Sequence, residues 1–202
     1  MPRSRAASHE LKREEILERA AACFAERSYP AASMNDIAAA CGTSKARLYH
    51  YYPGKDAILF DLLDRHTLRL LAIIGETEAA AERRGLDERA AFHELLRGLL
   101  AEYASAATRH VALLNDTRHL PTEQRDAIVA RQRAIVGAFS RFLRRAYPAL
   151  PQTGGEASAR AMMVLGMINW TFTWLKPDGP LSYADFAERV IATLDHGLGG
   201  AA

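Results

Sequence analysis

SMNDIAAACGTSKARLYHYYPGKD, residues 33–56, is the stretch on which the reading of this chain turns. Ser33 is a natural N-cap, and Asp36 three residues on suits a helix N-terminus. Ile37, Ala38 and Cys41 give that helix one apolar face. Gly42 stops it and supplies the positive φ of a tight turn. Thr43 or Ser44 caps the next helix, whose Ala46, Leu48 and Tyr49 lead on to Tyr52, and Pro53-Gly54 ends it. Two short helices around a glycine turn have the shape of a helix-turn-helix. The second opens with Thr43, Ser44, Lys45 and Arg47, small donors and cations of the kind that recognition helices offer to base edges in the major groove. Arg47 suits a bidentate contact to guanine, and Lys45 a guanine or a phosphate. Tyr49, His50 and Tyr51 follow at the far end, where phenols and imidazoles meet phosphate oxygens. Lys55 and the N–H groups opening the following helix form another phosphate site. The competing reading is a plain helical hairpin with a solvated polar face.

Working outward, the chain is helical throughout. Ile16, Leu17, Ala20, Ala21 and Phe24 recur at three- and four-residue spacing, predicting a first helix from Ser8 to Arg27. The Pro-containing SYPAAS leads to the two short helices. A long fourth helix runs from Lys55 to about Arg84 on a stripe of Ile58, Leu59, Leu62, Leu63, His66, Leu70, Ile73 and Ile74. After Gly85 comes a helix over 88–106, then the short apolar piece HVALLND, then a helix starting at Pro121 as its first residue and reaching Ala146. Past the loop YPALPQTGG, a helix over 156–175 and a last one over 182–196 are joined by the turn KPDGP, and the Gly/Ala tail frays. Alternating β-branched runs and fixed-period repeats are missing. The expected fold is all-α with about nine helices. A three-helix helix-turn-helix DNA-binding domain spans 1–55, and a helical bundle for ligand binding and dimerisation spans 56–202.

The run from Ile16 to Leu59, with ILERAAACFAER followed by SMNDIAAACGTSKARLYHYYPGKDAIL, resembles the DNA-binding domain of the TetR family of bacterial transcriptional repressors. The resemblance implies base and phosphate contacts from Thr43, Ser44, Lys45, Arg47, Tyr49, His50 and Lys55, with Ser33 and Met34 against the DNA backbone. Three positions depart from the common form. Ser28 stands where a helix-ending glycine is usual, Gly54 where a capping Ser or Asn is usual, and Arg47 where small residues are frequent.

A single helix-turn-helix binds weakly, so a two-fold partner is expected. Met163, Met167, Trp170 and Trp174 form a stripe on the 156–175 helix, while Val164, Leu165, Ile168 and Phe172 fill most of the rest, so the helix is apolar nearly all round. One side suits the chain's own core and the other a second subunit. Phe186, Val190, Ile191 and Leu194 of the last helix complete the expected four-helix interface, against the alternative of a central core helix in a monomer. Met163, Met167, Trp170, Leu99, Tyr103, Phe139 and Phe142 are candidate pocket liners, with Asn115 and Asn169 as polar groups to orient a small-molecule effector. GMINWTFTWLKPDGPLS and HVALLNDTRHLP are similar to stretches of TetR-like repressors that answer to acyl-CoA thioesters, phenylacetyl-CoA among them. Such a ligand needs cations for its phosphates, and Arg109, Arg118, Arg141, Arg144, Arg145 and Lys176 are available. The other open readings are a different hydrophobic effector and a helical interaction module that does not bind DNA.

Composition is consistent with a globular regulator. The 202 residues carry a formal charge of only +2, but residues 1–55 hold nine Lys/Arg against six Asp/Glu, so the basic excess sits at the N-terminal end. No secretory leader is recognisable. The longest apolar run, MMVLGMINWTFTWL, is too short for a membrane span and contains Asn169, Thr171 and Thr173, so a cytoplasmic protein is expected. Cys23 and Cys41 suit small buried hydrophobes in a reducing compartment. Enzyme signatures such as GxSxG, HExxH and a phosphate-binding glycine loop are missing. His110 and His119 lack a helical ligand spacing, and Glu14-Glu15 and Asp87-Glu88 read as solvated faces. No cofactor, metal or catalytic residue is expected.

Overall fold

The computed structural model describes residues 5–150, 155–176 and 178–197. Among these are nine α-helices, two short 3-10 turns and no strand. The helices are α1 (Arg5–Arg27), α2 (Met34–Ala40), α3 (Lys45–Tyr49), α4 (Lys55–Arg84), α5 (Glu88–Ser105), α6 (Ala107–Asp116), α7 (Thr122–Ala146), α8 (Glu156–Asn169) and α9 (Tyr183–His196). The 3-10 turns are Thr117–His119 and Trp170–Thr173. Residues 151–154 of the expected YPALPQTGG loop, Pro177 of the KPDGP turn and residues 198–202 of the expected frayed tail lie outside the described residues.

The chain forms two compact units, and the divisions fall inside α4, after the first residue of α6, and inside α7. The first unit takes the chain up to Thr67 together with Thr108–Val129. Its α1 packs on α2, and α2 on α3. Ile16, Leu17, Ala20, Ala21 and Phe24 are buried, as their spacing requires, together with Ile37, Leu48, Ile58 and Leu59. The second unit holds Leu68–Ala107 and the chain from Ala130 onward. There α5 packs against α9. Phe92 meets Phe139 edge to face at 5.3 Å and Tyr147 at 6.0 Å. At Gly98 a Cβ would lie 3.1 Å from Ile73 Cγ2, so glycine is what permits the close approach of α5 to α4.

The structure departs from the sequence expectation at several ends. The first helix starts at Arg5, earlier than Ser8, and HVALLND is the end of a full helix, α6. Pro121 precedes α7 as the residue whose carbonyl accepts from Arg125 N at 2.8 Å, one place earlier than the expected first helical position. The helix expected over 156–175 stops at Asn169 and tightens into a 3-10 turn. The run WTFTW there is aromatic and β-branched, poor in helix propensity. Thr171 and Thr173 donate their hydroxyls back to the carbonyls of Ile168 and Trp170, both at 2.8 Å. The first compact unit also runs past residue 55, because Ile58, Leu59, Leu62 and Leu63 at the start of α4 are all fully buried.

Candidate nucleic-acid interface

The first unit builds its recognition element from reciprocal caps. Ser33 Oγ accepts from Asp36 N at 3.2 Å, and Ser33 N donates to Asp36 Oδ2 at 2.9 Å, closing a capping box at the start of α2. The bonds from the Ser33 hydroxyl and backbone, with Arg27 at 3.0 Å, hold the Asp36 carboxyl below its usual range. At the other end of α2, Gly42 adopts φ 60°. Gly42 N donates to Ala39 O and Thr43 N to Ala38 O, both at 3.0 Å. These two bonds make a Schellman motif, which satisfies the last carbonyls of α2 and turns the chain toward α3. Ser44 then caps α3 by accepting from Arg47 N at 3.2 Å. The hydroxyl oxygen is used, and its proton remains to donate.

Leu48 is the only fully buried residue of α3, and it fixes which face the helix shows. Ser44, Lys45, Arg47, Tyr49 and His50 are exposed, and Thr43 is half-buried. No carboxylate among the described residues pairs with Lys45 or Arg47. From Ile37 to Lys55 the sequence contains no acid at all. The result is a face of hydroxyls, phenols, imidazole and two cations, with potential suited to a polyanion.

Two expected contacts are placed differently. The Met34 side chain is buried, so it serves the packing of α2. Lys55 Nζ donates to three carbonyls, Tyr29 O at 2.9 Å, Ala32 O at 3.0 Å and Pro30 O at 3.2 Å, and lies 4.5 Å above the Tyr29 ring. All three ammonium protons are engaged in holding the turn after α1. That turn needs holding, since Ser28, in the usual glycine place, is forced to φ 65°. Tyr29 also bonds Asp56 and stacks on His119 at 5.3 Å.

A charged network, which the sequence did not reveal, ties α1 to the elements around it. Asp61 accepts from Tyr52 Oη at 2.5 Å, Arg13 Nη2 at 2.7 Å and Arg65 Nε at 2.9 Å. Burial alone would raise the Asp61 carboxyl, but these bonds and the two guanidinium charges hold it below its usual range. Arg109 of α6 bonds both Glu14 and Glu18. His66 and His110 are buried with Nε2 and Nδ1 3.3 Å apart. Burial, then the positive potential of His110 and Arg109, pushes His66 down to about 3, so it is neutral.

Within the second unit, the residues expected to line a ligand pocket divide between the core and an exposed face. Leu99, Tyr103, Phe139 and Phe142 are buried in the second unit's core. Met163, Met167 and Trp170 are exposed on α8 and its 3-10 extension. Asn115 belongs to the first unit and is exposed. Asn169 is half-buried, and its buried Oδ1 has no hydrogen-bond partner. Several hollows open in the second unit, and Phe142 of the expected set helps to line one of 420 Å³ beside α4 and α5. One of 560 Å³ lies between α4 and α5, lined by Ile73, Thr77, Gly98 and Ala101 under a charged rim. One of 360 Å³ is lined by Met167, Trp170, Trp174, Phe186, Val190 and Arg189. Another of 360 Å³ is lined by Arg141, Arg144, Arg145 and Pro148. Among the described residues no group of acids, histidines or cysteines is placed to hold a metal, and no helix is long and apolar enough to cross a membrane.

Comparison with known proteins agrees with this geometry. Residues 16–62 match the profile of bacterial regulatory proteins of the tetR family, and residues 85–198 that of the tetracyclin repressor-like C-terminal domain. A TetR-family transcriptional regulator from Bordetella parapertussis is 36% identical, with a TM-score of 0.85 over 93% of this chain and 94% of that one. The structure of AibR in complex with isovaleryl coenzyme A and operator DNA is 25% identical, with a TM-score of 0.76 over 90% of this chain and 97% of that one. The HTH-type transcriptional repressor KstR2 of Rhodococcus jostii is 32% identical over 115 residues, 56% of this chain and 54% of that protein. The chain spans from 33% to 54% of the length of the curated repressors it matches. With its capped recognition helix in one matched segment and its helical bundle in the other, the chain belongs to the TetR family of bacterial regulatory proteins.

Proposed function

We propose that the protein is a cytoplasmic homodimeric repressor that binds operator DNA through α3 and leaves it when a small molecule, an acyl-CoA thioester, binds the second unit. The observation that carries the DNA reading is α3 itself, where one buried leucine orients a face of exposed donors and cations free of carboxylates. Family membership and the curated repressors it matches support the same reading. The exposed apolar stripe of Met163, Met167, Trp170 and Trp174 supports the dimer, since a monomer gains nothing from keeping two tryptophans in water. AibR, whose structure holds isovaleryl coenzyme A, supports the effector class. So does the arginine-lined hollow at the end of α7, whose cations suit the phosphates of coenzyme A.

In this reading a dimer without effector presents two recognition helices about 34–36 Å apart, one turn of DNA. The effector binds better to a state with another spacing and draws the population off the operator. The test is a mobility-shift assay on the protein's own upstream DNA, with a panel of acyl-CoAs added. Sequence-selective, salt-sensitive binding that one acyl-CoA releases is the expected result. Binding that no member of the panel releases removes the effector class. Failure to bind any duplex removes the repressor reading and leaves an interaction module, and turnover of an acyl-CoA makes the chain an enzyme.

A further inference from the structure

We propose that His9 is a further contact to the DNA phosphate backbone, held in place by Tyr51. The nucleic-acid surface then extends beyond α3 onto the opening turns of α1. The inference rests on the reading of α3 as a recognition helix. The rings of His9 and Tyr51 stack with centroids 4.9 Å apart and planes at 27°. His9 is exposed and Tyr51 half-buried, so the phenol ring is the platform and the imidazole the surface. Tyr51 follows Tyr49 and His50 directly, and both are exposed. The stack therefore joins the start of α1 to the row of ring donors at the distal end of the recognition helix.

The acids nearest His9 in sequence are engaged by cations. Glu10, the acid beside it, is drawn to Arg65 Nη1 at 2.5 Å, and that bond holds its carboxyl below the usual range. Glu14 is engaged by Arg65 and Arg109, and Glu15 by Lys12 at 2.8 Å. An imidazole N–H donates to a phosphate oxygen whether the ring is neutral or charged. The stack limits the ring's rotamers before DNA arrives, so less side-chain entropy is lost on contact. Tyr51 acts on His9 as a positioning residue, through its ring.

Anisotropy titrations of the full chain against its upstream operator and an unrelated duplex test this. His9→Phe keeps a ring on Tyr51 and removes the donors. It should weaken binding about three- to tenfold per recognition unit on both duplexes alike, leaving their ratio unchanged. Tyr51→Phe keeps the ring under His9 and should lose less affinity than Tyr51→Leu. Tyr51→Leu should fall as far as His9→Phe, and combining the two should cost nothing further. Wild-type affinity in His9→Phe overturns the inference while the recognition-helix reading stands. Lost selectivity at a single base pair in that variant also overturns it, since His9 would then touch a base. A melting temperature that falls in step with affinity assigns the stack to folding and overturns it as well. A wild-type chain that binds neither duplex overturns both readings together.

Discussion

The two surfaces that matter in this molecule are opposites. On α3 and its caps the exposed residues, Ala46 apart, are cations, hydroxyls and rings with polar tips, and the one fully buried residue is Leu48. On α8, its 3-10 extension and the residue that follows, the large exposed side chains are Met162, Met163, Met167, Trp170 and Trp174, and Val164, Leu165 and Ile168 are among the buried ones. Both helices are anchored by aliphatic side chains, so the anchors do not distinguish them. What distinguishes them is what is left in water. A polar exposed face asks for a hydrated, charged partner, and an apolar one for a partner that excludes water.

Substitutions can break this contrast, starting with the anchor of α3. Leu48→Ala should cost about 2–5 kcal/mol of stability, because the residue is fully buried, and should abolish operator binding as the helix loses its orientation. Thermal or urea unfolding read beside a shift assay checks both effects. The next effect belongs to the first unit alone. The folded-state pKa of His66 lies far below that of an unfolded histidine, so the unfolded chain takes up a proton that the folded one refuses. Stability is complete above about pH 6.5 and should fall by about 1.4 kcal/mol per pH unit between about pH 6 and pH 4. His66→Leu should remove that part of the slope, measured as urea stability against pH. Asp116, raised by burial, acts in the other direction at lower pH.

On the opposite surface, Trp170→Ala should weaken self-association by about 2 kcal/mol or more, roughly thirtyfold, without loss of helix content. Sedimentation equilibrium and circular dichroism measure the two quantities. An unchanged assembly state would break the proposed assignment of the apolar face to a second subunit. The smallest effect sharpens the polar face. Arg47→Ala should cost about 1–3 kcal/mol and relax selectivity at one base pair. A loss spread evenly over all sequences would instead make Arg47 a phosphate contact.

The first surface was far easier to read in the sequence than the second. Ser33 with Asp36, Gly42 and Ser44 are local signals, each acting within a few residues, and all four do in the structure what their types imply. The resemblance read from Ile16 to Leu59 matches the profile found over residues 16–62. Lys55 shows where local reading ends. Its carbonyl partners lie 23 to 26 residues away, across the turn after α1, and no pattern around Lys55 announces them. Likewise Asp61, besides Arg65 one turn along α4, reaches Arg13 on α1 and Tyr52 in the segment between α3 and α4. In the second unit, periodicity marks which residues avoid water without saying whether the cover comes from the same chain. Met163 and Val164 are neighbours of similar hydrophobicity, yet one is 69% exposed and the other buried.

The placement of the tryptophans has a practical side. The chain has only two, Trp170 and Trp174, and they stand 63% and 49% exposed on one stripe. The protein is thereby born with a built-in optical probe for the proposed dimer. In a separate chain both indoles sit in a wet environment and emit toward the red. Covering the stripe with an apolar surface shifts that emission toward the blue, and an unlabelled sample diluted in a cuvette reports the change.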